Sequence, residues 1–188
     1  MSKNAYRLFI EFIKVVVISL VIILPIRYFL FQPFYVSGAS MEPSFYDHEY
    51  LIIDEFTYRF DAPSRGDIVV FHYPLNTNEI FIKRVIGLPG EKIQFKEGKV
   101  YIFNDANPDG SVLDEPYLVS NTETYSYGKD TVTLGPGEYY LLGDNRTDSQ
   151  DSRIFGPVKR NLIIGRVILR GWPLDRAGIF TAPAYNLK

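Results

Sequence analysis

An apolar stretch from residue 9 to residue 31 constrains the fold of this 188-residue chain more than any other feature. As an α-helix rising about 1.5 Å per residue, it is long enough to cross a hydrocarbon core of roughly 30 Å. Its charged residues lie near the two ends, with Glu11 and Lys14 at one and Arg27 at the other, where their charged groups can reach water. The stretch therefore predicts a single N-terminal transmembrane helix at 9–31.

The charge of the chain is asymmetric about this stretch. Residues 1–36 carry four basic side chains against one acidic, a net +3, whereas the remainder carries 16 basic and 21 acidic side chains, a net −5. The three basic residues before the apolar core outweigh the single Arg27 after it, so the positive-inside rule places the N-terminus in the cytoplasm. We therefore expect a cytoplasmic tail at 1–8 and an extracytoplasmic domain at 32–188, in a single-pass protein of the cell membrane.

A cleavable leader is the alternative interpretation of the same N-terminus. Ser37-Gly38-Ala39 has the small-x-small form of a cleavage site after a basic start and an apolar run. That site lies 13 residues beyond Ile26, and Arg27 with a bulky aromatic run intervenes. An uncleaved anchor therefore fits the pattern better than a leader does.

Composition excludes several classes of chemistry. The chain has no cysteine, which removes disulfide scaffolds, thiol catalysis, iron–sulfur clusters and cysteine-ligated zinc. The net charge of −2 and the lack of a basic run give no signal for nucleic-acid binding. The two histidines, His48 and His72, are more typical of surface or half-buried residues than of a metal site or a Ser-His-Asp triad. We therefore predict no cofactor and no bound metal.

After residue 36 the patterns are those of β-strands. Segments rich in Val, Ile, Tyr and Phe, separated by turns with Gly or Pro, lie at residues 50–56, 66–73, 79–87, 92–103, 130–144 and 161–172. Residues 92–103 are expected to form a hairpin around Glu97-Gly98, and the polar residues 104–130 an excursion from the sheet. Because many short strands must hide their edges, we predict one mainly β domain with a coiled antiparallel sheet that is barrel-like.

Three segments of this domain are hard to explain as scaffold alone. The first, residues 37–43, directly follows the anchor and surrounds Ser40 with small residues. Small neighbours leave the serine hydroxyl sterically open, and nearby backbone N–H groups can bind a developing oxyanion. Taken alone, the segment also fits a linker turn.

The second segment, residues 79–90, places a lysine in an apolar strand. Under strict alternation Phe81, Lys83 and Val85 share one face. Burial disfavours the charged ammonium and lowers its pKa, which turns a lysine into a usable general base. The alternative is that Lys83 reaches past the sheet edge to water.

The third segment, residues 143–156, concentrates three aspartates, two arginines and two serines in one loop. Arginine–carboxylate pairs are geometrically specific and can hold such a loop rigid beside a reactive group. A charged, solvated loop is the alternative for this segment by itself.

Together these segments resemble the motif set of bacterial type I signal peptidases, membrane-bound Ser/Lys endopeptidases that remove signal peptides. The matching boxes follow the anchor in the family's order: SGASMEPS at 37–44, RGDIVVF at 65–71, KRVIGLPGE at 83–91 and GDNRTDSQDSR at 143–153. The segment RGWPLDRAG at 170–178 is family-like as well. One box would be a weak match, whereas four in order behind an anchor are specific.

The resemblance implies a catalytic dyad. Ser40 attacks the scissile carbonyl while neutral Lys83 takes its proton, passes it to the leaving amine and then activates the water that hydrolyses the acyl-enzyme. A lysine pKa of about 10.4 must fall by a few units for this role, so an apolar site is expected, with Phe81 and Val85 as its walls. Small pockets would select small residues at −3 and −1 of a signal peptide.

The resemblance also implies residues that support the lysine. Ser149 corresponds to the family serine that hydrogen-bonds the lysine and orients it. Asp151 and Arg153 correspond to an acidic and basic pair around that serine, and Asp144 and Arg146 to a second structural pair.

The oxyanion hole is implied only in part. The backbone N–H of Ser40 is the best donor. Gly38 occupies the position at which some members carry a serine whose hydroxyl is the second donor, so the second donor stays open here. Thr147 departs from the aspartate that is frequent at its position, which affects support of the loop rather than chemistry.

The expected partners are signal peptides of exported preproteins, the lipid bilayer and, indirectly, the secretion machinery, for a chain that acts as a monomer without nucleic acid. A related Ser/Lys class, the self-cleaving repressor proteases, is disfavoured by the anchor and by the lack of a helix-turn-helix segment. Another alternative is a membrane-tethered, non-catalytic β-rich module that binds secreted proteins. Such a module would not need Ser40, Lys83, Ser149 and Asp151 together.

Overall fold

The computed structural model describes residues 3–29, 31–185 and 187, in which a long N-terminal helix precedes a mainly β body. The helix α1 spans Lys3–Phe29, so a helix is present over the predicted stretch and begins six residues earlier than expected. Every side chain described in α1, from residue 7 to residue 23, is exposed or half-exposed. No helix in the described residues is long and apolar enough to cross a membrane. The membrane-spanning role of 9–31 therefore stays a prediction.

The body is built from short strands, which are numbered here in chain order. They are β1 (Phe31–Tyr35), β2 (Tyr50–Asp54), β3 (Ile68–Tyr73), β4 (Asn76–Gly87), β5 (Lys92–Lys96), β6 (Lys99–Asn104), β7 (Asn107–Val112), β8 (Thr131–Thr133), β9 (Glu138–Leu142), β10 (Val158–Lys159), β11 (Ile163–Trp172) and β12 (Gly178–Ile179). One short helix, α2 (Ser152–Phe155), lies between β9 and β10.

The strands form two antiparallel sheets. The first has the order β1-β2-β11-β3-β4-β9-β10, with β12 paired to β11, and the second has the order β7-β6-β5-β8. The mainly β, antiparallel prediction is confirmed, but the barrel-like prediction is wrong, because β1 and β10 end the first sheet without pairing to each other in the described residues. The strand at the end of this order, β10, has only two residues. The sheet therefore limits its exposed edge by having a short edge strand rather than by closing into a barrel.

The predicted hairpin at 92–103 is confirmed. Strands β5 and β6 pair from Lys92 opposite Phe103 to Lys96 opposite Lys99. Glu97 and Gly98 both have positive φ, at 52° and 72°, which matches the twist of a two-residue hairpin turn. Beyond this hairpin, the first part of the predicted excursion forms β7 on the edge of the second sheet, whereas residues 113–130, here called the connecting segment, contain no strand.

The central strand β3 is buried on both faces. Ile68 and Val70 belong to one core cluster, and Val69 and Phe71 belong to another on the opposite face. Val69 lies opposite Lys83 in the pairing of β3 with β4. Because cross-strand partners point to the same face, Lys83 leaves its strand on a face that the core already covers.

Candidate active site

Ser40 lies in the loop between β1 and β2, residues 36–49, here called the serine loop. Met41 and Phe45 anchor this loop because both side chains are buried in the core of the first sheet. The N–H of Phe45 donates to Met41 O at 2.9 Å, and the N–H of Glu42 donates to Ala39 O at 3.1 Å. Buried side chains on one side and small residues on the other therefore hold Ser40 at the surface with little freedom.

A second loop, residues 143–156, here called the charged loop, is fixed directly to the serine loop. The backbone N–H of Asn145 donates to Ser40 O at 3.1 Å, and its side-chain amide donates to Ala39 O at 3.3 Å. The Ser44 hydroxyl donates to Asp144 Oδ2 at 2.6 Å. Two segments about a hundred residues apart in sequence thus act as one rigid support for Ser40.

Lys83 comes to this support from β4. Its Nζ donates to Ser40 Oγ at 2.7 Å and to Ile82 O at 2.8 Å. The lysine is only 3% exposed, so it does not reach past the sheet edge to water. Val85 on the same face is fully buried, and the ring centroid of Phe81 lies 5.5 Å from the lysine nitrogen. The structure therefore brings the serine hydroxyl and the lysine amine together between apolar walls.

The environment of Lys83 favours its neutral form. Burial lowers the pKa of Lys83 from 10.5 to about 8, against the charges of Asp151 and Asp144, which raise it. At a pH near 8 about half of such lysines are neutral, whereas an ordinary lysine is almost entirely charged. A neutral amine 2.7 Å from a serine hydroxyl can accept its proton, which is what nucleophilic catalysis by a serine requires.

Ser149 lies in the site but does not make the predicted contact with Lys83. Its side chain is buried, and among the described residues its Oγ has no hydrogen-bond partner, so the predicted hydrogen bond with Lys83 is not formed. The lysine instead donates to Ser40 and to the carbonyl of Ile82, which lies next to it in the chain.

Gly143 is a functional position that sequence analysis missed. A Cβ at this residue would lie 2.1 Å from Ser149 Oγ and 2.5 Å from the carbonyl oxygen of Ser40. Only glycine therefore lets the charged loop approach Ser40 this closely. The available signal was its position directly before Asp144, at the end of a strand that leads into the charged loop.

Asp151 and Arg153 form the implied pair. The guanidinium Nε and Nη2 of Arg153 donate to the two carboxylate oxygens of Asp151 at 2.8 and 2.7 Å, and Asp151 is fully buried. Asp151 also accepts from the N–H of Gly143 at 3.1 Å and caps the first turn of α2. This carboxylate therefore fixes both ends of the charged loop.

Asp144 and Arg146 do not pair with each other, and that prediction is wrong. Asp144 accepts two hydrogen bonds from Arg84, at 2.8 and 2.6 Å. Arg146 pairs bidentately with Glu115 of the connecting segment. The physical reason is that two further charged side chains, those of Arg84 and Glu115, lie in this region. Arg84 is within hydrogen-bond distance of Asp144, and Glu115 is within hydrogen-bond distance of Arg146, so these are the pairs that form. Neither Arg84 nor Glu115 was predicted as a partner, and for Glu115 the sequence contains no local signal.

The backbone N–H groups of Gly38 and Ser40 differ in whether they are free to bind an oxyanion. The N–H of Gly38 donates to Asp47 Oδ1 at 2.9 Å, so it is not available to an oxyanion. Gly38 has φ of +92°, a conformation that L side chains rarely adopt. The N–H of Ser40 has no acceptor among the described residues, which leaves it able to face a developing oxyanion.

A cavity of about 390 Å³, here called the first cavity, opens at Ser40 and Lys83. Its walls come from β1 and the start of the serine loop, from β4 and from the charged loop: Phe34, Tyr35, Ser37, Glu79, Ile80, Phe81, Ile82 and Gln150. At residues 79–83 β4 pairs with β3 alone, and β1 pairs with β2 alone, among the strands that the structure describes. Two unpaired strand edges therefore face this cavity.

The histidines lie outside this arrangement. His72 Nδ1 is 2.7 Å from Thr77 O, and His48 Nδ1 is 2.9 Å from Asp47 Oδ2. In the part of the chain that the structure describes, no cluster of three or more histidine and carboxylate side chains is placed to hold a metal ion.

A serine hydroxyl that is hydrogen-bonded to a buried amine is an arrangement found in hydrolases that act by nucleophilic attack. Residues 9–172 match the family described as signal peptidase, peptidase S26. The chain therefore belongs to this family and is a serine peptidase.

Curated relatives cover most of the chain. Signal peptidase I of Leptolyngbya laminosa is 40% identical over 181 residues, which are 92% of this chain and 84% of that protein. Probable signal peptidase I-2 of Synechocystis sp. is 37% identical over 180 residues, 93% of this chain and 78% of that protein. Signal peptidase IB of Staphylococcus aureus is 34% identical over 182 residues, 88% of this chain and 91% of that protein.

Among solved structures, a crystal structure of a signal peptidase I from Enterococcus faecalis V583 is 33% identical. The match covers 56% of this chain and 97% of that chain, with a TM-score of 0.46.

The Glu115–Arg146 pair generates a stability prediction. We expect Glu115→Gln to lower the free energy of unfolding by about 3–5 kcal/mol, because it leaves the fully buried Arg146 guanidinium without its counter-charge. The double variant Glu115→Met with Arg146→Met should recover most of the loss, because both charges are then removed. The measurement is denaturant unfolding of the full chain in detergent.

The matched control is Glu97→Gln, whose side chain is 73% exposed and which should change stability by less than about 0.5 kcal/mol. A single variant as stable as wild type, or a double variant no better than the single one, would show that this pair does not support the charged loop.

Proposed function

We propose that the chain is a membrane-anchored endopeptidase that cleaves signal peptides from exported preproteins after small residues at −3 and −1. Ser40 is the nucleophile and Lys83 the general base. The observation that carries the proposal is the 2.7 Å contact between Ser40 Oγ and the Nζ of a lysine that is 3% exposed. The names of the relatives, signal peptidase I and IB, support signal peptides as the substrate class.

In the proposed reaction a single residue, Lys83, carries out every proton transfer. Lys83 Nζ accepts the hydroxyl proton as Ser40 Oγ attacks the scissile carbonyl carbon, and the Ser40 N–H faces the resulting oxyanion. The lysine then gives that proton to the leaving amine as the peptide C–N bond breaks. Water that loses a proton to the same lysine hydrolyses the ester, and the proton returns to Ser40 Oγ.

The first cavity suits an extended peptide. A chain laid between the unpaired edges of β1 and β4 can bond to both by its main chain, the mode in which an added strand is recognised. Its scissile bond then lies at Ser40. In an extended peptide every second side chain points to the same side. The side chains at −1 and −3 would therefore both face the same wall of the cavity, which would select small residues at both positions.

The same geometry supports placement at the membrane surface. The described side chains of α1 are exposed and largely apolar, and α1 contacts the body through β1. Phe34 and Tyr35 of β1 line the first cavity, so a helix held in the bilayer would keep Ser40 close to the surface at which signal peptides emerge. We therefore propose a single-pass protein with its N-terminus in the cytoplasm and its β body outside.

The dyad is tested by replacing each of its two side chains with one that lacks the reactive group but leaves the fold unchanged. Ser40→Ala should lower the rate of preprotein cleavage by at least about 10⁴-fold, and Lys83→Met by about 10²–10⁴-fold. Both variants should keep wild-type secondary structure. The measurement is the cleavage rate of a purified preprotein by the full chain in detergent micelles.

The matched controls are Ser120→Ala and Lys99→Met, which change exposed residues of the same types and should cleave at wild-type rates. Near-normal cleavage by either dyad variant would refute the mechanism. A wild-type chain that binds several preproteins without cleaving any would favour a non-catalytic, membrane-tethered binding module.

The topology is tested by labelling, for which the lack of cysteine is an advantage because any introduced thiol is unique. In intact bacterial cells a membrane-impermeant maleimide should label Ser120→Cys in the body, whereas Ser2→Cys should react only after permeabilisation. Labelling of Ser2→Cys alone in intact cells would contradict the proposed orientation, and labelling of both would contradict the anchor.

A further inference from the structure

A second cavity, of about 560 Å³, lies beside the site and plays no part in the dyad. Its walls come from the serine loop after Ser40, from the connecting segment and from the charged loop. Glu42 and Pro43 face it from the first, and Asn145 and Thr147 from the last. Neither Ser40 nor Lys83 is among its lining residues.

The two cavities follow one another along the same two loops. The serine loop gives Ser37 and Ser40 to the first cavity and then Glu42 to the second, while the charged loop gives Asn145 to the second and Gln150 to the first. The loops meet between the cavities, where the N–H of Asn145 donates to Ser40 O at 3.1 Å. A peptide that crosses Ser40 therefore passes from one cavity towards the other.

The anchor decides which end of the substrate lies in which cavity. This step rests on the proposed function, in which a signal peptide precedes the scissile bond and its apolar part stays in the bilayer. Such a substrate must approach from the side of α1, and β1, which follows α1, lines only the first cavity. The residues before the scissile bond therefore occupy the first cavity, and the mature chain leaves through the second.

The second cavity is negatively charged towards solvent. Glu42 is half-exposed and Glu123 is exposed, and neither forms an ion pair within the described residues. The other two charged residues in its wall are buried and neutralised, Asp144 by Arg84 and Arg146 by Glu115. A concave surface with charge of one sign attracts groups of the opposite sign.

Apolar surface stands next to these carboxylates. Tyr46, Val119 and Tyr125 line the cavity and are exposed, and the Tyr125 hydroxyl donates to Glu123 Oε2 at 2.8 Å. Arg176, which does not line the cavity, lies 4.2 Å above the ring of Tyr46 and forms its ion pair with Glu49 at 2.7 Å, not with Glu42 or Glu123. Aromatic faces beside carboxylates suit the long stem and charged head of a basic side chain.

We infer that the second cavity binds the first residues of the mature chain and that Glu42 and Glu123 make it favour a basic side chain over an acidic one there. The two glutamates are thus specificity-determining residues for the part of the substrate that follows the scissile bond, whereas the −3 and −1 positions precede it.

The test compares two preproteins that differ only at the second mature residue, Lys in one and Glu in the other. The full chain in detergent micelles should give a higher kcat/KM for the Lys substrate by about 3- to 10-fold, since two partly exposed charge pairs are involved. The double variant Glu42→Gln with Glu123→Gln should bring the ratio close to one. Charge reversal, Glu42→Lys with Glu123→Lys, should favour the Glu substrate.

The matched control is Asp105→Asn, which removes an exposed carboxylate that lines neither cavity and should keep the wild-type ratio. Equal kcat/KM values for the two substrates with wild type, or an unchanged ratio in the double variant, would overturn the inference while leaving the proposed function intact. Failure of wild type to cleave either substrate would contradict the proposed function itself, and the inference with it.

Discussion

The burial of the Lys83 ammonium group is the constraint on which the rest of the site depends. A lysine that loses water must either pair with a carboxylate or give up its proton. Here both carboxylates that act on its pKa are already taken, Asp151 by Arg153 and Asp144 by Arg84. The two arginines therefore do more than fix a loop, because each compensates the negative charge of a carboxylate that would otherwise favour the charged form of the lysine more strongly.

The fold supplies the conditions for that burial. Lys83 leaves β4 on a face where Val69 and Val85 are fully buried, so little of its side chain is exposed to water. The sheet stays open, which leaves unpaired edges of β1 and β4 beside Ser40. A closed barrel would have consumed the edges that a peptide substrate can use. The open sheet and the buried lysine are thus two parts of one arrangement.

Features with a local signal could be predicted from the sequence. Glu97-Gly98 predicted the hairpin turn, and alternation in residues 79–90 placed Lys83 on one face with its apolar neighbours. The partners of Asp144 and Arg146 could not be predicted, because the choice of an ion-pair partner depends on which distant side chain the fold brings within reach. Glu115 lies 31 residues from Arg146 in a segment without strand periodicity, so no pattern in the sequence could have predicted that contact.

The most direct test of the central claim is the titration of Lys83 itself. Nuclear magnetic resonance of the full chain with ¹³C-labelled lysine ε-carbons, with the signal assigned through Lys83→Met, measures its pKa without reference to turnover. Burial beside Ser40 predicts a pKa of about 8. A value near 10.5, the ordinary value for lysine, would mean that the amine is charged at neutral pH and would contradict its proposed role as general base.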